Sequence, residues 1–162
     1  MPTGSAKTAL EFAQNFVDEL AIPIIGKEVT KEYSLDFSNL MDADNKQLEE
    51  FLTMYGGYKG YLETKISDIE ATVGALEAAF TESYNTALFK IAKEYEDNNK
   101  KKPTKEELRG EIFSRFDALK ELKRDLIEEQ ALLKRISGLL NTYTTAYNTV
   151  SRIVALRTYG QQ

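Results

Sequence analysis

The groups in this sequence best suited to chemistry are cations set beside aromatic rings, and they fall in three clusters. Near the middle of the chain, Lys100, Lys101, Lys102, Lys105 and Arg109 place five cations within ten residues, the composition of a phosphate-contacting loop. Glu106, Glu107 and Glu111 dilute that field, so a hairpin tip kept soluble by lysines is the competing reading. Toward the C-terminus, Lys134, Arg135, Arg152 and Arg157 stand among Tyr143, Tyr147 and Tyr159. Binders of single-stranded nucleic acid use that mixture for backbone and base. Earlier, the run Tyr55-Gly56-Gly57-Tyr58-Lys59-Gly60-Tyr61 gathers three glycines and three tyrosines around one lysine. Tyr58, Lys59 and Tyr61 there offer stacking and cationic groups; the alternative is close helix packing, with the glycines letting a neighbour approach.

Other chemistry is excluded by composition. The 162 residues contain no histidine, cysteine or tryptophan, which removes imidazole bases, thiolate nucleophiles, disulfides and the commonest zinc sites. Asp42, Asp44, Glu49 and Glu50 form an acidic group, but acids at a helix start are accounted for by capping and the helix dipole. No catalytic constellation and no metal set emerges, so neither enzyme activity nor a cofactor is expected. Hydrophobic residues at 42% and charged residues at 29% describe a chain able to fold in water. The longest apolar run is Leu20-Ala21-Ile22-Pro23-Ile24-Ile25, well short of the ~20 residues of a membrane helix. Lys7 shares the first twenty residues with Glu11, Asp18 and Glu19, unlike a signal peptide. The expectation is a cytoplasmic protein with no membrane and no small-molecule substrate.

Charge is unevenly distributed. Residues 1–100 carry 9 basic and 18 acidic side chains, whereas residues 101–162 carry 12 and 8. After Glu129 no acid occurs. Such asymmetry points to an anionic partner or to pairing between the two halves. In an antiparallel hairpin Asp42, Asp44, Glu49 and Glu50 would come near Arg152 and Arg157.

The elements that must position these groups are helical. Leu10, Ala13, Phe16, Val17 and Leu20 repeat at helical spacing, predicting a short amphipathic helix over 5–20. Pro23 breaks it, and Val29, Tyr33, Leu35 and Phe37 are spaced for an extended arm. Residues 1–43 thus form an N-terminal helix and arm, and residues 44–162 a second unit. A stripe from Leu48 to Tyr95 averages about 3.6 residues per step, predicting one long helix. The turn-forming stretch 97–103, ending in Pro103, stops it. Thr104 and Glu107 stand at capping-box spacing, and a second stripe runs from Leu108 through Leu126 to Val154, with Gly160 as the stop. Its last part, Leu133, Ile136, Leu140, Tyr143, Tyr147, Val150 and Val154, keeps alternating steps of three and four, a coiled-coil seam. Two rods of about 80 Å joined by a short loop fold back antiparallel, giving an all-α helical hairpin. Phe51, Phe89, Phe113, Leu132 and Leu139 widen the stripes, so other copies are expected to cover the remainder through the C-terminal seam, as a homo-oligomer.

A long helix bearing Tyr58-Lys59-Gly60-Tyr61, a Lys- and Pro-containing turn, and a terminal helix carrying Val150-Ser151-Arg152 resemble the layout of phage UvsY-like recombination mediators over residues 40–158. The resemblance implies helical subunits that oligomerise through C-terminal helices, bind single-stranded DNA and help load a recombination or replication protein in the host cytoplasm. The competing expectation is a structural or protein-interaction module, such as a virion component or an inhibitor, docking through its helical stripe and N-terminal arm.

Overall fold

The computed structural model describes residues 4–20, 22–25, 34–35, 40–98, 101 and 103–159. It is an all-α helical hairpin. Helix α1 spans Gly4–Glu19, α2 Asn45–Asp97, α3 Lys105–Arg115 and α4 Asp117–Tyr159. Ile24–Ile25 (β1) and Ser34–Leu35 (β2) pair in parallel over two residues each. Of the arm, Val29, Tyr33 and Phe37 lie outside the described residues, as do Lys100, Lys102 and Gly160. No described helix is long and apolar enough to cross a membrane.

Local chemistry fixes where the rods begin. Asp44 caps α2: its carboxylate accepts from the Gln47 amide at 2.8 Å, and the Gln47 side chain accepts from the Asp44 amide at 2.9 Å. Of the two aspartates that could cap this end, only Asp44 is placed to do so, because the carboxylate must sit at the last non-helical residue. Thr104 and Glu107 close the expected box on α3, with the Thr104 amide donating to Glu107 at 2.8 Å. Those hydrogen bonds, the backbone one first, hold the Glu107 carboxyl below the usual range.

The second rod differs from the unbroken helix expected. Phe116 leaves helical dihedrals (φ −118°, ψ 87°) and separates α3 from α4. Its amide still donates to the Ile112 carbonyl at 3.0 Å, while its own carbonyl accepts from the Leu119 amide at 3.1 Å. The break falls where Ser114, Phe116 and Asp117 all have weak helix propensity. Asp117 opens α4 with its carboxylate toward the helix's positive end and 2.7 Å from Lys120. The stripe of apolar residues continues across the break, so periodicity alone does not reveal it.

α2 runs antiparallel to α4, and two separate cores hold the rods together. The larger contains Leu48, Tyr55, Leu62, Ile69 and Val73 of α2 and Leu132, Ile136, Tyr143, Ala146 and Val150 of α4. α1 lies on α4 in this half, running in the same direction: Gln14 accepts from Arg135, and the Pro23 carbonyl accepts from the Tyr143 hydroxyl. Ala9 and Ala13 are buried, whereas Leu10, assigned to the stripe by spacing, is 59% exposed. Alanines thus set the close contact. The smaller core contains Ala87, Ile91, Ile112 and Leu119, with Phe80, Tyr84 and Phe113 packed around it. No α1 reaches it, so the base is three helices thick and the tip two.

Candidate functional site

The three cation–aromatic clusters do not share one face. At the tip, Lys101, Lys105 and Arg109 are exposed and have no acid paired with them among the described residues. Beside them the hairpin is locked by pairings that the sequence pattern does not reveal. Arg115 donates to Glu94 at 2.6 Å and to Glu111, and the Tyr95 hydroxyl donates to Glu111 at 3.0 Å. The Glu111 hydrogen bond, first among the causes, raises the Tyr95 phenol above its ordinary value. The partners are 16 and 21 residues apart in sequence, so no local spacing announces them.

The C-terminal cluster is divided by the fold. Arg157 donates to the backbone carbonyls of Ala43 at 2.6 Å and Met41 at 2.8 Å, which clamps the turn before α2. Carbonyls fill the role that the acids near α2's start were expected to play, because the planar guanidinium reaches two of them at once. Arg135 is engaged by Gln14 on α1. Lys134 and Arg152 stay exposed with no ion pair among the described residues. Arg152 lies 35 residues beyond the start of α4, about 53 Å along the axis from that point and farther still from the tip, which α3 separates from it. Arg157→Ala is expected to cost about 1.5–3 kcal/mol, the value of hydrogen bonds to a charged group. A lowered urea midpoint, with faster amide exchange over residues 43–48, checks this.

Two of the tyrosines, Tyr55 and Tyr143, are buried as deeply as the core leucines. Tyr55 and Tyr143 are 1% and 0% exposed, with ring centroids 6.1 Å apart. Tyr58 packs 5.3 Å from Tyr143. Lys59 lies 3.7 Å from Glu63 and 6.0 Å above the Tyr147 ring, and Tyr61 is 43% exposed with Lys65 over its face. No glycine of this patch is required by packing within the chain: a Cβ on Gly56 would make ordinary contact with Tyr147 at 3.5 Å, and Cβ atoms on Gly57 and Gly60 would meet nothing within 4 Å. Beside Gly57 an open groove of about 470 Å³ is lined by Leu20, Ile22, Met54, Tyr58 and Tyr61.

The seam expected to join copies of the chain is occupied internally. Ile136, Tyr143 and Val150 are 0% exposed within this single chain, and Leu133, Leu140, Tyr147 and Val154 are half-buried against the same core. Apolar surface remains elsewhere: Phe89 on α2 (70% exposed), and Met41, Leu156 and Tyr159 (75%, 73% and 77%) at the base. Phe89 lies two residues from both Ala87 and Ile91, on the side of α2 opposite the core, so it does not widen the stripe as its spacing suggested. Among the described residues no three carboxylates gather to hold a metal ion. No family model, no curated protein and no solved structure matches this chain.

Proposed function

We propose that this protein is a helical interaction module that works by docking another protein along its rod, without catalysis. The observation that carries the reading is the disposition of its side chains. Several of the aromatic rings and cations that a strand would need are committed inside the chain: Tyr143 to Pro23, Lys59 to Glu63, Arg135 to Gln14 and Arg157 to the residue 41–43 turn. Large apolar side chains face water instead, foremost Phe89 on α2. A fully exposed aromatic loses favourable burial free energy of about 2 kcal/mol, a common mark of a surface that meets a partner.

Single-stranded DNA binding in support of recombination is the second reading, favoured by one observation: Lys101, Lys105 and Arg109 are exposed and unpaired at the tip among the described residues. Fluorescence anisotropy of a labelled single-stranded oligonucleotide at low and physiological salt separates the two. The docking reading expects no saturable binding at physiological salt. Micromolar or tighter binding that weakens steeply with salt, and is lost when Lys101, Lys105 and Arg109 become glutamine, replaces it with the nucleic-acid reading.

A further inference from the structure

We propose that α3 is a latch: it peels away from α2 about Phe116 while α4 stays in place, and in doing so uncovers Ala87 and Ile91. The device needs no partner, so it goes beyond the docking reading and does not depend on it.

Phe116 is placed to act as the pivot. Its dihedrals leave the helical region. Its amide donates to the Ile112 carbonyl and its carbonyl accepts from the Leu119 amide, but no backbone hydrogen bond among the described residues passes across it. α3 and α4 are therefore joined through the torsions of one residue and not through a shared ladder. The first can move without unwinding the second, as at other hinges where an element-terminal residue absorbs the change in dihedrals.

α3 is poorly able to hold itself. Its 11 residues fall below the ~12–15 under which a helix is marginal on its own in water. Gly110 stands at its middle, where alanine favours the helix, and a Cβ there would meet nothing within 4 Å, so packing does not require the glycine. Ile112 is its one buried side chain, whereas α4 buries six and lies against both α1 and α2. Segments with so few buried contacts open at lower free energy than the fold as a whole.

A polar clasp to α2 keeps the latch closed. Arg115 donates to Glu94 of α2 at 2.6 Å and to Glu111 of its own helix, and the Tyr95 hydroxyl donates to Glu111 at 3.0 Å. Glu107 adds a further negative charge near Tyr95, and Arg115 is the cation that offsets it. Every group of the clasp belongs to α2 or α3. α4 contributes Lys123, whose ammonium lies 5.9 Å from the Phe113 ring centroid and 5.3 Å from that of Phe80 on α2, so α4 keeps its hold on α2 when α3 departs. With Ile112 and Phe113 withdrawn from the small core, Ala87 and Ile91, 2% and 0% exposed in the closed form, meet water beside Leu88. The open form thus displays an apolar strip of α2 that the closed form hides.

Hydrogen exchange of the full chain tests the latch. Amides of residues 109–116 are expected to exchange on the order of tenfold faster than those of residues 120–130 in α4. Two substitutions at exposed positions push in opposite directions: Arg115→Gln should speed exchange over 109–116 about fivefold by releasing the clasp, and Gly110→Ala should slow it about fivefold by strengthening the helix. Neither should alter residues 120–155. A second readout uses the absence of cysteine from the chain. Ala87→Cys places a single thiol in the covered strip, and its modification by a water-soluble thiol reagent should quicken with Arg115→Gln and slow with Gly110→Ala. Ala146→Cys, in the larger core, should respond to neither. Amides at 109–116 as well protected as those at 120–130 overturn the proposal, as do substitutions that change α4 as much as α3 or a thiol at position 87 indifferent to both.

Discussion

Replacing Tyr143 by alanine is expected to lower the unfolding free energy by about 4 kcal/mol, within the range for emptying a buried aromatic site. The ring is fully buried between Tyr55 and Tyr58 of α2, and its hydroxyl donates to the Pro23 carbonyl just after α1. One side chain thus ties α4 both to its hairpin partner and to the N-terminal segment. Tyr143→Phe keeps the packing and removes only the hydroxyl, so about 1 kcal/mol is expected. Urea denaturation followed by circular dichroism measures both; equal losses for the two variants would show that the hydroxyl, not the ring, carries the site. The same pair of tyrosines sets a response to alkali. Burial pushes the Tyr55 phenol up to about 12, and burial together with Tyr58 and Tyr55 raises that of Tyr143 still further. An unfolded tyrosine ionises near pH ~10. The folded values being higher, the stability these groups contribute is intact below the unfolded value and is lost as pH rises through the folded ones. Loss of helicity above pH ~11 should therefore coincide with the late part of the phenolate absorbance rise. If all nine tyrosines titrate together near pH ~10 with the helices intact, this account of the core is refuted.

Ile91→Ala is expected to open the tip without unfolding the base. Ile91 is 0% exposed at the centre of a small core whose other fully enclosed members are Ala87, Ile112 and Leu119. Truncating a buried isoleucine costs about 2–5 kcal/mol, and the tip has no third helix to share the loss. Hydrogen exchange should quicken over residues 80–97 and 105–119, leaving residues 5–20 and 130–155 protected. Ile136→Ala, in the larger core, should instead lower protection throughout. Uniform loss of protection in Ile91→Ala would mean that the two cores open as one cooperative unit.

Sequence periodicity was sufficient for the hairpin because burial of a continuous stripe needs little more than the right spacing. Leu48, Leu62, Ile69 and Ile91 are buried where the 3.6-residue repeat placed them, and the Thr104–Glu107 capping box formed at the expected spacing, while the Asp44–Gln47 box on α2 was not singled out by it. Spacing failed where neighbouring positions compete for the same contact. Ala87 is buried while Leu88 sits at the edge at 36% exposure, and Ala9 is buried in place of Leu10, since the distance between helix axes, absent from the sequence pattern, decides whether a methyl or an isobutyl group fits.

The chain's own order of residues determined that it would be helical, where α2 and α3 begin, that a turn ends the first long rod, and that histidine and thiol chemistry are closed to it, because these follow from side-chain type and contacts within a few residues. Tertiary structure alone decided which charges are spent on holding the fold and that Tyr143 ties α4 to the segment after α1. Those outcomes depend on groups 20 to more than 100 residues apart, such as Arg115 with Glu94 and Arg157 with Met41. Which of them meet is settled by how the rods come to rest against one another, a property of the packed whole.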